Sequence, residues 1–216
     1  MRRVDYPESK HATPEHPIAD VLARRFSPRA FAPEPPSDAQ LARLFAAACW
    51  APSSGNGQPW RWVVGVRGDD VWPVVLECLN EKNRSWCRNA PVLGIAIAQT
   101  LRDGKPMPTG PYDLGQAMAD LTVQATTDGV YVHQMGGFSA EAARDAFAIP
   151  ADFAAWTAFA IGLLGDPDTL PDDLKARELA VRHRHPLSER VFGRRFGEPR
   201  PFPPADGPPT APGHSV

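Results

Sequence analysis

A layered domain of the α/β or α+β type, with one central sheet covered by helices, is predicted by three observations. Segments with apolar residues at helical spacing alternate with short, often β-branched apolar runs bounded by Gly or Pro. The chain has 216 residues, a single-domain length that can bury around 70% of its unfolded surface, so one core needs no covalent staples. No internal repeat breaks the alternation, and helix and strand in turn favour layers over a bundle or a barrel.

The elements follow in order. Leu41, Leu44, Phe45 and Ala48 recur at helical spacing behind Ser37, a good N-cap, which predicts a helix over 37–50. Trp62 to Val66 reads as a buried strand. A helix over 70–81 precedes a strand from Val92 to Ala98, and a helix over 113–128 stops at Gly129. A strand from Val130 to His133, a helix over 139–147 capped by Ser139, and a strand from Trp156 to Leu164 complete the series. Trp50, Trp60, Trp62, Trp72, Trp86 and Trp156 are expected to pack inside, since large aromatics dominate interiors. The ends are different material. Residues 1–17 are polar with scattered prolines, and the tail over 198–216 is Pro-rich, so both are expected to lack a fold of their own. An SH3-type ligand role is the compositional alternative for the tail.

Composition removes several function classes. Cys49, Cys78 and Cys87 are odd in number and scattered, which predicts buried free thiols in a reducing compartment. The basic N-terminus has no apolar run behind it, and no segment approaches membrane-spanning length, so the expected location is cytoplasmic with no membrane partner. A net charge of −2 gives no global basic field for nucleic acid; attraction to phosphate must be local.

Two local features supply that chemistry. The loop Ala51-Pro-Ser-Ser-Gly-Asn-Gly-Gln-Pro-Trp60 crowds hydrogen-bonding side chains between an apolar helix and an apolar strand. Alone it reads equally well as a helix C-cap and turn. Upstream, Arg25, Ser27 and Arg29 alternate ahead of Pro33, so in extended geometry they project to one side. Two guanidiniums with a hydroxyl between them suit a phosphate, because Arg presents a planar fork of donors. The plain alternative is a solvated basic stretch.

Taken together, Arg-x-Ser-x-Arg-x-Phe, a helix, then Ala-Pro-Ser-Ser-x-Asn-x-Gln-Pro-Trp resembles the opening of the FMN-dependent nitroreductase family. The likeness continues through Asn83-Arg-Ser-Trp86, Ala90 to Ile97, Asp113-Leu-Gly-Gln-Ala117, Asp128-Gly129, Gly136-Gly-Phe138, Arg182-His-Arg-His-Pro-Leu187 and Arg195-Phe-Gly197, and so spans residues 18–197. It implies an α+β, nitroreductase-like fold: three layers, α/β/α, around a mixed, largely antiparallel sheet, in an intertwined homodimer with two flavin sites. It also implies that part of the tail packs on the dimer partner.

The resemblance assigns roles. Arg25 and Ser27 hold the FMN phosphate, joined by Arg182 and Arg184. Arg29 reaches the phosphate or the pyrimidine edge, where a cation stabilises charge developing on reduction. Asn83 supplies a side-chain amide to that edge. Pro52, Ser53, Ser54, Asn56 and Gln58 form the loop that meets the flavin from the other subunit. Gly136 and Gly137 aim backbone N–H groups at N5 and O4, where the flavin itself does the chemistry. Gly136 stands where many members carry a bulkier or acidic residue, and Trp86 stands near where some carry a lysine, which leaves the flavin potential open. The implied activity is ping-pong hydride transfer from NADH or NADPH to a small acceptor such as a nitroaromatic or quinone. Reductive dehalogenation, breakdown of reduced flavin, and non-enzymatic flavin storage are alternatives on the same fold. The loop from Thr100 to Pro111 is a candidate substrate lid.

The remaining motifs point elsewhere. His183 and His185 lack the neighbouring ligands of a metal pattern, and no metal is expected. His133 reads as a satisfied interior histidine. Ser53 and Ser54 lack the setting that exposes a hydrolase nucleophile. No Gly-x-Gly-x-x-Gly follows a strand, in keeping with one shared site for nucleotide and acceptor.

Overall fold

A computed structural model describes residues 10–202. Its centre is a four-stranded sheet of β1 (Trp60–Val66), β2 (Val92–Gln99), β5 (Tyr131–Met135) and β6 (Phe153–Gly162), ordered β1-β2-β6-β5. Every neighbouring pair is antiparallel, so among the described residues the sheet is not mixed. A small hairpin, β3 (Leu101–Arg102) and β4 (Lys105–Pro106), stands apart from it.

Side-chain alternation builds the layers. In β2, Leu93, Ile95 and Ile97 join one core with Val75 and Cys78 of α3 (Val71–Cys78), Trp86 of α4 (Glu81–Cys87), Ala143 of α6 (Ala140–Ala146) and Leu174 of α7 (Asp172–Leu179). Val92, Ala96 and Ala98 face the second core, with Leu44 and Ala48 of α2 (Asp38–Cys49) and Met118 and Leu121 of α5 (Gly110–Thr127). A strand buried on both faces reads as a continuous apolar run, as this one does. Leu44 and Leu121 are fully buried, and truncating such a leucine to alanine costs about 2–5 kcal/mol.

The helix signals mostly hold. Ser37 accepts from the Gln40 N–H while Gln40 reaches back, a capping box, and Ser139 accepts from the Ala142 N–H. Gly129, at φ 70°, closes α5. That helix starts earlier than its apolar pattern because Pro111 is preorganised for a first turn. The segment expected as one helix over 70–81 stops at Cys78, and Asn80 caps a separate α4 that carries Asn83 and Trp86. The short α1 (Asp20–Arg24) and the polar α7 lack the apolar stripe that would announce them.

Several packing expectations need correction. Cys49 is exposed, whereas Cys78 and Cys87 are buried free thiols whose pKa values burial pushes up. Trp50 is 88% exposed and Trp156 50% exposed. Trp50 sits at the C-cap of α2, and Trp156 is the extra residue of a bulge in β6, between Ala155 opposite Ile97 and Thr157 opposite Ala96. The N-terminal stretch over 10–17 is not loose: Lys10 is 5% exposed and donates to the Ala180 carbonyl, and the Ala12 N–H bonds to Ala23. Residues 1–9 and 203–216, which include most of the Pro-rich tail, lie outside the described residues.

Candidate functional site

The arginine segment lies against one edge of the sheet. Ala32 N–H donates to Leu163 just beyond β6, the Pro28 carbonyl lies 2.8 Å from His133 Nδ1 of β5, and the Phe26 and Tyr131 rings pack 5.1 Å apart. After α7 the chain returns to the same place, where Arg182 donates to the carbonyls of Arg25 and Ala23. Arg25 Nη1 is 3.4 Å from Ser27 Oγ. Burial, and then the charge of Arg184, lowers the Arg25 pKa; burial, then Arg25 and Arg184, lowers that of Arg182. Both remain protonated. The buried Nε of Arg182 has no hydrogen-bond partner among the described residues. A buried N–H donor without an acceptor is costly, and three guanidiniums beside a hydroxyl suit an anion with several oxygens.

Arg29 is committed elsewhere. The Glu178 carboxylate, 2% exposed, accepts the Arg29 backbone N–H at 3.0 Å from each oxygen and lies 3.8 Å from its guanidinium. Lys10 shares that carboxylate's field: burial lowers the ammonium's pKa and Glu178 opposes the shift. Neither Glu178 nor Lys10 carried a signal in the sequence, since their partners lie far away along the chain.

β5 carries the next group. Beyond Met135, Gly136 is exposed with nothing within 4 Å of where a Cβ would stand, whereas a Cβ on Gly137 would collide with the side-chain amides of Asn80 and Asn83. The Gly137 carbonyl accepts both the Asn80 N–H and Asn83 Nδ2 at 3.0 Å. Asn83 therefore directs its amide nitrogen at the glycine backbone. Asn80 was the missed residue here; an Asn directly ahead of the acidic Glu81 is an N-cap signal that would have revealed it. Neither glycine N–H is taken up by a backbone carbonyl among the described residues. Trp86 points into the core, its ring 4.6 Å from His133 and 6.4 Å from Phe31. Burial lowers the His133 pKa to about 4, so its ring is neutral and satisfied.

The Ser-rich loop stands at the opposite edge. It is a short 3-10 turn with Gly55, Asn56 and Gln58 at φ 57°, 52° and 47°, a concentration of left-handed backbone of the kind that clusters at ligand clamps and active sites. Ser53 Oγ accepts the Gln58 N–H, Gln58 Nε2 donates to Asn56 Oδ1, and the Pro52 carbonyl lies 3.5 Å from Gln116 Nε2. Gly57 and Gln58 border an open groove of about 550 Å³ with Cys49, Trp60, Arg61 and Trp62. The loop enters β1 and the glycines leave β5 at the same end of the sheet, but β2 and β6 lie between them, three strand spacings or about 14 Å. One chain thus assembles the arginine cluster and the glycine turn at one edge and the loop at the other.

His183 and Arg184 are exposed, and His185 pairs with Glu189 at 3.2 Å on the surface. Among the described residues, no three His, Cys, Asp or Glu side chains gather as a metal site, and no helix is long and apolar enough to cross a membrane.

The nitroreductase family model matches residues 22–85, which contain both motifs. A solved oxidoreductase containing FMN is 36% identical and superposes with a TM-score of 0.82, covering 86% of this chain and 96% of that one. The chain belongs to the nitroreductase family. A second relative, an uncharacterized 15.4 kDa protein from the ask 5' region of Mycolicibacterium smegmatis, is 30% identical over 146 residues, 64% of this chain and 99% of that protein. An FMN and NADPH-dependent nitroreductase from Sphigopyxis sp. strain HMH shares the nitroreductase fold, with a TM-score of 0.65 over 82% of this chain and 98% of that one at 20% identity. The two solved structures superpose on the helix-covered antiparallel sheet described above.

Proposed function

We propose that this nitroreductase-family protein is an FMN oxidoreductase that takes hydride from NADH or NADPH and reduces nitroaromatics, quinones or similar small acceptors. The observation that carries the reading is the buried Arg182 Nε without an acceptor, beside Arg25, Ser27 and Arg184. A phosphate oxygen supplies the one missing acceptor, so the residues present fit FMN.

FMN, when bound, exchanges hydride through N5 and serves donor and acceptor in turn over one face. The chain's own part is grip, orientation and fixed dipoles. Arg25, Ser27, Arg182 and Arg184 hold the phosphate. The N–H groups of Gly136 and Gly137, held by the asparagine pair, donate to the ring edge without having to reorganise. Arg29 is tied to Glu178, which fixes the backbone next to Ser27 and offsets the guanidinium's charge. Pro52, Ser53, Ser54, Asn56 and Gln58 reach the ring from a second copy, because within one chain they stand at the far edge of the sheet. The functional unit is therefore a homodimer with shared sites, built on residues 18–197.

Anaerobic mixing of FMN-loaded protein with each nucleotide tests the reading. Rapid bleaching of the yellow colour, followed by recovery with a nitroaromatic or quinone and parallel initial-rate lines, is expected. Binding without bleaching by either nucleotide marks a storage protein instead.

A further inference from the structure

The segment expected as a lid is built as a brace. Asp103 and Gly104, at φ 52° and 73°, close β3 and β4 as a two-residue hairpin, the tight turn that left-handed backbone favours. The hairpin is anchored at its base: Thr100 and Leu101 N–H groups donate to Asp152, and Met107 N–H to Thr100. Two side chains reach the Ser-rich loop, one from the hairpin and one from the first turn of α5. Arg102 Nη2 donates to the Gly57 carbonyl at 2.5 Å and to Gln99 Oε1 at 3.0 Å. Asp113, 2% exposed in the first turn of α5, accepts the Ser54 N–H at 3.2 Å. These bonds fall on either side of Gly55 and Asn56, and Gln58, also left-handed, follows Gly57. Such backbone persists where the surroundings over-determine it.

We propose that Arg102 and Asp113 are positioning residues that lock the 52–58 loop in its cofactor-contacting shape. The inference rests on the FMN reading for its consequence but not for its geometry. Neither side chain need touch the cofactor; each holds a loop carbonyl or N–H.

Hydrogen exchange of the full-length, FMN-free protein reads the lock directly, and FMN titration reads its consequence. In Arg102→Ala, the amides of Asn56, Gly57 and Gln58 exchange about tenfold faster, the scale of losing one charged hydrogen bond, while β2 amides are unchanged. FMN binding weakens by a similar factor. Arg102→Lys, which keeps a donor, recovers part of both, and Asp113→Asn, which keeps an acceptor oxygen, stays closer to wild type than Asp113→Ala. Exchange at 56–58 that stays within twofold of wild type in Arg102→Ala overturns the proposal. If the wild-type protein takes up no FMN, the proposed function fails, and the exchange measurement still decides the lock.

Discussion

Asn83 and Gly137 are joined by a 3.0 Å hydrogen bond from the side-chain amide to the glycine carbonyl, across 54 positions of sequence. The same oxygen accepts the Asn80 N–H, so the N-terminus of α4 fixes the peptide that follows β5. Gly137→Ala pushes both asparagine amides aside and loosens the Asn80 cap, which makes it destabilising by about 1–2 kcal/mol. Gly136→Ala meets open space and is expected to be near neutral for stability. Urea midpoints for the two variants check the contrast; equal midpoints would contradict it.

Arg25→Ala removes one of the guanidiniums around the unpartnered Arg182 Nε. FMN affinity is expected to fall by about 10- to 100-fold, the range for one charge-assisted contact. Flavin fluorescence titration measures it. An unchanged dissociation constant would place the phosphate elsewhere.

Arg29→Ala leaves the buried Glu178 carboxylate without its guanidinium, although other donors remain. A stability loss on the order of 2 kcal/mol follows, and Glu178→Gln in the same background should relieve part of it. A double-mutant cycle by urea denaturation reads the coupling. Additive effects would show that the pair does not interact.

His133 makes stability depend on pH. The native ring stays neutral to about pH 4, while an unfolded histidine takes a proton near 6.5. The unfolded chain thus binds more protons across that window, so stability falls by on the order of 3 kcal/mol as pH drops from 6.5 to 4. His133→Gln should flatten this stretch of the stability profile, leaving the slope contributed by carboxylates. A wild-type slope in the variant would assign the proton to another group.

The layers were legible because β2 is a bounded, continuous apolar run and α5 carries apolar residues at helical spacing, and the caps at Ser37 and Ser139 follow from single residues. α7 was not: its buried positions, Leu174 and Glu178, are isolated among charges, and the partners that meet Glu178, Arg29 among them, lie far away along the chain. At the site, Arg25 and Ser27 were readable as phosphate-binding types, Arg182 entered through the family resemblance, and the three lie together in the structure. The true partners of Arg29 and Asn83 were not, since both bonds span distant parts of the chain. Trp50 and Trp156 misled for the opposite reason: apolar character says nothing of a bulge or a helix end that turns a ring outward.

The most direct test of the account is titration of the wild-type protein with FMN, followed by flavin fluorescence and by molecular mass in solution. Saturable quenching at one FMN per chain in a dimer is the predicted result. Flavin that stays fully fluorescent beside stoichiometric protein would contradict it.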